Sequence, residues 1–419
     1  MALRNLGRNK RRSFLAGLSV FFAIFFVVAL DGITAGFMDS MTLNYTKDET
    51  GHVNVATADY RERERFMPPD AAMRDSGAVR AAIEADPALS GKLDLVAERI
   101  RLGVVLSSGS ASKTALALAG DPAAERRLLM LDRSVLPGGA YCDAPGTAIV
   151  GEGLATALGL KVGDELKVVT EKADHGLGFK KLKVSGLFRT GVTSLDGSTF
   201  QMGLLDARAL LGLDGGAGGR AAGSGGATQV LVMLKDYRGA DSAEAEIAKA
   251  LAASGLKGLS VQSWTRGGDI PRLIAMANSI YFWAWLVVAF LGAFIITNVM
   301  TMVVLERRHE IGILKSMGMK RGRILALFLT EGGMLGAMGS GLGCLFGLAL
   351  NAALAQKGID FSQAMQGLDF PMDNVVRPAV HLGRSLGLFG LGVLVSTVMA
   401  WLPARKAAAL DPIEAIRGA

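Results

Sequence analysis

Asn298-Val-Met-Thr-Met-Val-Val-Leu-Glu306-Arg-Arg-His-Glu310-Ile-Gly-Ile-Leu-Lys315-Ser-Met-Gly318 is the stretch that decides the fold. Its first third closes a long apolar run, and the rest is charged with apolar residues at helical spacing. Lys320, Arg321 and Arg323 then lead into a second apolar run that contains Glu331-Gly-Gly. Two membrane helices are therefore joined by a short amphipathic helix over 306–318. A charged helix cannot sit in hydrocarbon, and one this short does not hold together alone in water. It needs a partner, and a partnered connector between two spans is a route for force from a cytoplasmic motor.

Hydropathy extends this reading outward. A bilayer core takes roughly 20 apolar residues, and four segments approach or exceed that: Phe14 to Phe37, Ala275 to Leu305, Ile324 to Leu354 and Leu386 to Leu402. The first competes with a cleaved signal peptide. Its unbroken core from Phe14 to Leu30 is longer than a typical signal core, and no small-x-small cleavage site follows. It reads as a membrane anchor.

Basic residues fix the orientation. Arg4, Arg8, Lys10, Arg11 and Arg12 precede the first span, Arg307, Arg308, Lys315, Lys320, Arg321 and Arg323 occupy the connector, and Arg405, Lys406 and Arg417 follow the fourth. The opposite flanks carry Asp31, Asp39, Asp48, Asp360, Asp369 and Asp373. Both termini and the connector are therefore expected in the cytoplasm. The large segment between the first two spans then faces outward.

Composition fits that division. Half the chain is hydrophobic and 20% charged, with mean hydropathy +0.35, which is unusual for a soluble protein of this length. The net charge of +7 raises the question of nucleic acid. The excess sits at span ends, where a cytoplasmic membrane face explains it, so no nucleic-acid partner is expected. Cys142 and Cys344 fall on different sides and cannot pair. The outer domain must be held by its own core.

That domain reads as mixed α/β. His52–Ala56, Leu93–Gly103, Val104–Ser107, Thr114–Ala119, Val168–Thr170, Leu182–Phe188 and Val230–Leu234 read as strands, and Leu259–Trp264 returns the chain to the second span. Ser107–Ser112 reads as a hairpin turn, Glu152–Leu158 as a helix closed by Gly159, and Ala240–Ala253 as an amphipathic helix. The Gly/Ala-rich 212–226 stretch reads as a flexible loop. The expected divisions are 1–38 for the amino-terminal segment and first span, 39–272 for the outer domain, and 273–419 for the remaining spans, connector and tail.

No catalytic constellation is visible. The four histidines are scattered, none with metal-ligand spacing, and no phosphate-binding loop exists, since Ser90-Gly-Lys-Leu93 lacks the flanking glycine and hydroxyl. The chain is expected to be a non-catalytic subunit without metal or cofactor. If ATP drives it, ATP and Mg bind a separate polypeptide.

On the connector, Ile311, Leu314 and Gly318, with Ile313 and Met317, fall at helical spacings, with Glu306, Arg307, Glu310 and Lys315 around them. The alternative is a helix lying on headgroups, for which the acidic pair Glu306 and Glu310 is poorly suited. In the third span, Gly339, Gly343 and Gly347 share one face for close helix approach, either within the chain or in a dimer. Glu331 needs a partner inside the bilayer, with Asn298 and Thr297 as candidates. Pro403 is expected to end the fourth span, and Asp411-Pro-Ile-Glu414 to cap a short helix that lies on the membrane surface or touches the motor.

Glu306-Arg-Arg-His-Glu-Ile-Gly-Ile-Leu-Lys-Ser-Met-Gly318 resembles the signature of FtsX/MacB-type ABC transporter permeases. So do the opening Leu3-Arg-Asn-Leu-Gly-Arg-Asn-Lys-Arg-Arg-Ser13 and the closing Pro403-Ala-Arg-Lys-Ala-Ala-Ala-Leu-Asp-Pro-Ile-Glu-Ala-Ile-Arg417. The resemblance implies four transmembrane α-helices, a large α/β extracytoplasmic domain of the MacB-like core type inserted between helices 1 and 2, and a coupling helix seated on a cytoplasmic ABC ATPase dimer. It also implies a second permease, identical or paralogous, and transmission of ATP-driven motion to the outer domain rather than a channel.

Looser similarities point to the lipoprotein-releasing LolC/LolE branch: Gly51-His-Val-Asn-Val, Gly120-Asp-Pro-Ala-Ala-Glu125, the 149–164 segment and Val184-Ser-Gly-Leu-Phe-Arg-Thr-Gly191. Lipoprotein cargo would meet membrane lipid and enter where the first two spans leave the bilayer, around Ile33, Phe37, Met41, Ile274 and Tyr281, unless these side chains simply pack the span ends. Efflux of a peptide or amphiphile through an adaptor and outer-membrane duct, and FtsX-like control of a cell-wall hydrolase, stay open.

Overall fold

The computed structural model describes residues 10–109, 111–214, 225–361 and 375–409. The chain divides into two compact units, one built on residues up to Ser40, Ile274–Phe361 and Val375 onward, the other on Met41–Leu273. Helix α1, Lys10–Tyr45, begins in the first unit and ends in the second. No charged residue interrupts its core between Phe14 and Leu30, so nothing breaks the helix across the apolar run.

In the second unit the strands are β1 (Val53–Thr57), β2 (Leu93–Ser108), β3 (Ala111–Gly120), β4 (Thr147–Gly151), β5 (Glu165–Glu171), β6 (Leu177–Phe188), β7 (Thr199–Gly203), β8 (Gln229–Leu234) and β9 (Leu259–Ser263). Helices α2 (Ser76–Glu84), α3 (Pro122–Leu128), α4 (Glu152–Leu158), α5 (Leu204–Leu211) and α6 (Ala240–Ala253) are interleaved. The sheet order is β3-β7-β4-β6-β5-β2-β8-β1-β9, and β3 pairs again with β2. Six strands thus close on themselves, while β8, β1 and β9 extend an open sheet from the same β2.

Strand β2 serves two cores. Its residues Arg99–Ser108 pair with β3, and Val105–Ser107 pair with β5 on the other edge. Its first half pairs with β8. Ile100, Leu102, Val104 and Leu106 alternate into the closed core with Val168, Val184, Phe200 and Leu154, all buried. Val96 instead joins Val53, Val55, Val232, Val79, Ile83 and Ile247, the sandwich of α2 and α6 on the open sheet. The expected break between Leu93–Gly103 and Val104–Ser107 does not occur. Gly103 lacks a Cβ but stays paired with Leu116, so the strand runs through.

Several local expectations hold. Helix α4 ends at Leu158 with Gly159 in the left-handed region at φ +68. The β2–β3 hairpin turns at Gly109, φ +58. Strands β4 and β7 and helix α5, which ends on Gly212 at φ +71, were not anticipated. Gly212 therefore caps a helix, while most of the 212–226 stretch lies outside the described residues.

In the first unit, α7 (Ile270–Glu306), α8 (Arg308–Ser316), α9 (Arg321–Lys357) and α10 (Leu382–Ala409) complete the chain. Helices α1, α7, α9 and α10 are long and apolar enough to cross a membrane. Helix α9 is central. A Cβ on Gly339 would stand 2.7 Å from Val20 Cβ, one on Gly343 2.8 Å from the Phe21 carbonyl, and one on Gly347 2.8 Å from Val28 Cβ, so this face packs on α1. Gly332 and Gly336 admit Ala400 and Ser396 of α10 in the same way. The glycine face is thus occupied within the chain. Asn351 adds a polar tie, donating to the Val28 carbonyl at 2.9 Å.

Pro403 does not end its helix, which runs on to Ala409. A proline inside a helix forfeits one hydrogen bond. Ala404, Ala407 and Ala408 beyond it are buried against Ile311, Ile324, Phe328 and Val304, and that packing carries the helix past the break. The expected tail helix after Asp411 lies outside the described residues.

Candidate coupling surface

The connector is a two-faced helix. Helix α7 ends at Glu306, Arg307 turns the chain at φ −91 and ψ 11, and α8 follows. Its end is set by a Schellman motif: the Met319 amide donates to the Leu314 carbonyl at 3.0 Å and the Gly318 amide to the Lys315 carbonyl at 2.9 Å. Gly318 takes φ +89, which the motif requires and a side chain would resist. Ser-Met-Gly-Met therefore stops the helix and returns the chain to α9.

Ile311 and Gly312 form the inner face. Ile311 is 2% exposed and sits among Val304, Ile324, Phe328 and Ala404, the ends of the three long helices. It does not face a partner, contrary to the expectation from spacing. Ile313 and Met317 are 42% and 79% exposed and define the outer face, with Leu314 and Lys315 between the two. Glu306 and Glu310 are exposed as well.

Arg307 also turns inward. Its guanidinium donates to the Glu331 carboxylate, with N–O distances of 3.2 and 3.5 Å, and both side chains are nearly closed from solvent. Glu331 thus finds a charge partner on the connector. The pair could not be read from spacing, because 24 residues separate its members.

Of the expected entry residues, Met41 and Ile274 are buried, at 1% and 9% exposure, so neither offers its side chain to lipid. Ile33, Phe37 and Tyr281 are half-buried. Deeper in the first unit, an apolar cavity of about 330 Å³ lies between α1, α7 and α10, with Val20, Ile24, Phe282, Trp285 and Leu391 on its walls.

In the second unit, two ties that the sequence did not announce hold the end of α1. Tyr45 is buried and donates from its hydroxyl to the Gly267 carbonyl at 3.0 Å, just before α7. Arg99 of β2, fully buried, forks onto Glu125 at 2.7 and 2.9 Å and donates to the Lys47 and Asp48 carbonyls. Strand β2 thereby grips the chain as it leaves α1. Among the described residues, no group of His, Cys, Asp and Glu is placed to hold a metal.

Known proteins match this architecture. Residues 13–250, more than half the chain, fit the MacB-like periplasmic core domain, and residues 283–412 fit the FtsX-like permease C-terminal domain. An ABC transporter permease of Methanocaldococcus jannaschii is 34% identical over 128 residues, 30% of this chain and 29% of that protein. The lipoprotein-releasing system transmembrane protein LolC of Neisseria meningitidis is 24% identical over 310 residues, 71% of each chain. The macrolide export ATP-binding/permease protein MacB of Sodalis glossinidius is 34% identical over 131 residues, 31% of this chain and 18% of that one. The chain thus spans less than a third of the first and third of these relatives. It belongs to the family of FtsX/MacB-type ABC transporter permeases.

Proposed function

We propose that the chain is the permease subunit of a transporter whose separate ATPase pushes on the outer face of α8. The observation that carries this reading is the division of α8 into an inner face clamped to the ends of α7, α9 and α10 and an outer face with Ile313 and Met317 exposed. A rigid lever of this kind passes displacement to the helix ends without melting. The four long helices span the inner membrane with both termini and α8 in the cytoplasm, and the α/β domain, inserted between the first two, projects into the periplasm. Tyr45 and Arg99 then deliver movement of α1 to that domain. Two such permeases work together with an ATPase dimer.

The cargo is a lipoprotein extracted for outer-membrane sorting. The similarity to LolC runs over 310 residues and so reaches into the outer domain, whereas that to MacB covers 131. The apolar cavity between α1, α7 and α10 is of a kind that takes an acyl chain, with Phe37 near the outer end of α1 as an approach. Depleting the chain in cells should leave outer-membrane lipoproteins in the inner membrane, and a photo-crosslinker at Phe37 should capture acylated protein. Normal lipoprotein sorting on depletion, with sensitivity to an exported amphiphile or a defect in cell separation, would replace this cargo by efflux or by hydrolase control.

A further inference from the structure

The second unit holds a polar cavity of about 310 Å³ beside its two links to the long helices. Tyr45, the last residue of α1, lines it, and so do Gly267 and Gly268, which lead into α7. Chain continuity therefore sets the cavity where the domain's links to α1 and α7 leave it. Its use rests on the proposed placement of the long helices in the membrane, not on the cargo or the ATPase.

The lining residues are rich in hydrogen-bond donors without an acceptor in the protein. Asn54 Nδ2, Tyr60 Oη, Arg61 Nε and Arg101 Nε are all buried in this state. Asn54 and Tyr60 are themselves 2% and 0% exposed. Thr228 Oγ1, beside Tyr60, accepts from the Arg101 amide and donates to the Arg99 carbonyl, and its second lone pair can take the Tyr60 hydroxyl when no ligand does. Next to this group, Gln229 Oε1 is a buried acceptor without a donor. That leaves three donors, Asn54 Nδ2, Arg61 Nε and Arg101 Nε, against one acceptor, which favours a ligand made of acceptor oxygens.

Charge narrows the class. Arg61 is committed, donating to Glu64 at 2.9 Å and to Asn54 Oδ1 at 2.7 Å. Arg101 is ion-paired with Glu49 at 3.6 Å, longer than a hydrogen bond, and its Nε has no acceptor, so the guanidinium keeps a donor for a ligand. Arg61, Arg65 and Arg101 against Glu49 and Glu64 leave one positive charge on the lining. A single excess charge suits a singly charged oxyanion better than a dianion. Burial pushes the Tyr60 hydroxyl above its ordinary pKa, so it stays a donor.

We propose that this cavity binds the phosphodiester of a phospholipid headgroup, with Arg101 as its main ligand and Tyr60 and Asn54 as supporting donors. A soluble glycerophosphodiester shares the chemistry, and the position beside the ends of α1 and α7 favours the lipid. The headgroup would fasten the base of the outer domain to the leaflet.

The test uses the full chain in neutral detergent, delipidated and titrated by calorimetry with dihexanoyl-phosphatidylethanolamine and, separately, with glycerophosphoethanolamine. The lipid should bind more tightly than the soluble headgroup. Arg101→Gln should weaken lipid binding about tenfold or more, as loss of a charge-assisted contact implies. Tyr60→Phe removes one oxygen from a buried ring and should weaken it several-fold, which keeps the test open if Arg101→Gln does not fold. Lys249→Gln, on the exposed side of α6, should change nothing. Equal affinity for the two probes would overturn the membrane source. No binding of either probe, or unchanged affinity in both Arg101→Gln and Tyr60→Phe, would leave a hydrated cavity and overturn the proposal.

Discussion

Arg307, the hinge between α7 and α8, is paired at 3.2 Å with Glu331 of α9, so the turn of the connector and the third turn of the next long helix are bound by charge. Removing one member of a buried pair strands the other, at a cost of about 3–5 kcal/mol. Arg307→Met should therefore lower the thermal midpoint of the purified chain sharply. Arg307→Met with Glu331→Met should recover most of the loss, because two apolar side chains leave nothing unpaired. A double-mutant cycle on thermal midpoints measures the coupling.

The two faces of α8 predict opposite phenotypes. Met317→Asp and Ile313→Asp alter side chains that are already exposed. They should change stability by less than about 0.5 kcal/mol while abolishing co-purification with the ATPase. Ile311→Asp buries an unpaired charge among Val304, Ile324 and Phe328 and should destabilise the chain itself. Pull-down and thermal melts on the same three variants separate docking from folding.

Thiol chemistry reports on the proposed sidedness once the native cysteines are accounted for. Cys142 is the native cysteine of the outer domain. It is 2% exposed, and burial pushes its thiol up to about 12. It should resist an impermeant maleimide in spheroplasts until the domain is denatured. Ser112→Cys, on an exposed position of β3, should be labelled in sealed spheroplasts. Ser316→Cys should be labelled only after the membrane is opened.

His52 gives the outer domain an acid limit. Its Nδ1 accepts from the Leu234 amide at 2.9 Å, and burial pushes its pKa down to about 4. The folded ring stays neutral where the unfolded one, titrating near 6.5, takes a proton. The penalty is absent above about pH 6.5, grows as pH falls, and levels off near pH 4 at about 3 kcal/mol. Denaturant unfolding of the chain across that window should show the slope. His52→Asn, whose amide oxygen can accept the same bond, should flatten it.

What could be read in the sequence was local or periodic. The long apolar runs, the Gly159 stop of α4 and the hairpin at Gly109 each depend on neighbours within a few residues. The closure of six strands does not, since β3 meets β7 in parallel across a separation of more than 80 residues, Leu116 facing Thr199. The connector shows the same limit at a finer scale. Spacing groups Ile311 with Leu314, Ile313 and Met317 as one docking surface, but Ala404, Ala407 and Ala408 decide that Ile311 is turned inward. Those alanines lie beyond a proline that read as the end of their helix. Propensity gave way there to packing that no local window contains.

Strand β2 also bears on how the outer domain comes apart under load. Ile100, Leu102, Val104 and Leu106 belong to one core and Val96 to the other, on a single uninterrupted backbone. Arg99 lies at the changeover, where it holds the Lys47 and Asp48 carbonyls. Tension entering through α1 is therefore applied at the seam common to both cores, and neither can yield while the other keeps its register. Pulled along that axis, the domain should rupture in one step rather than shed its halves in sequence.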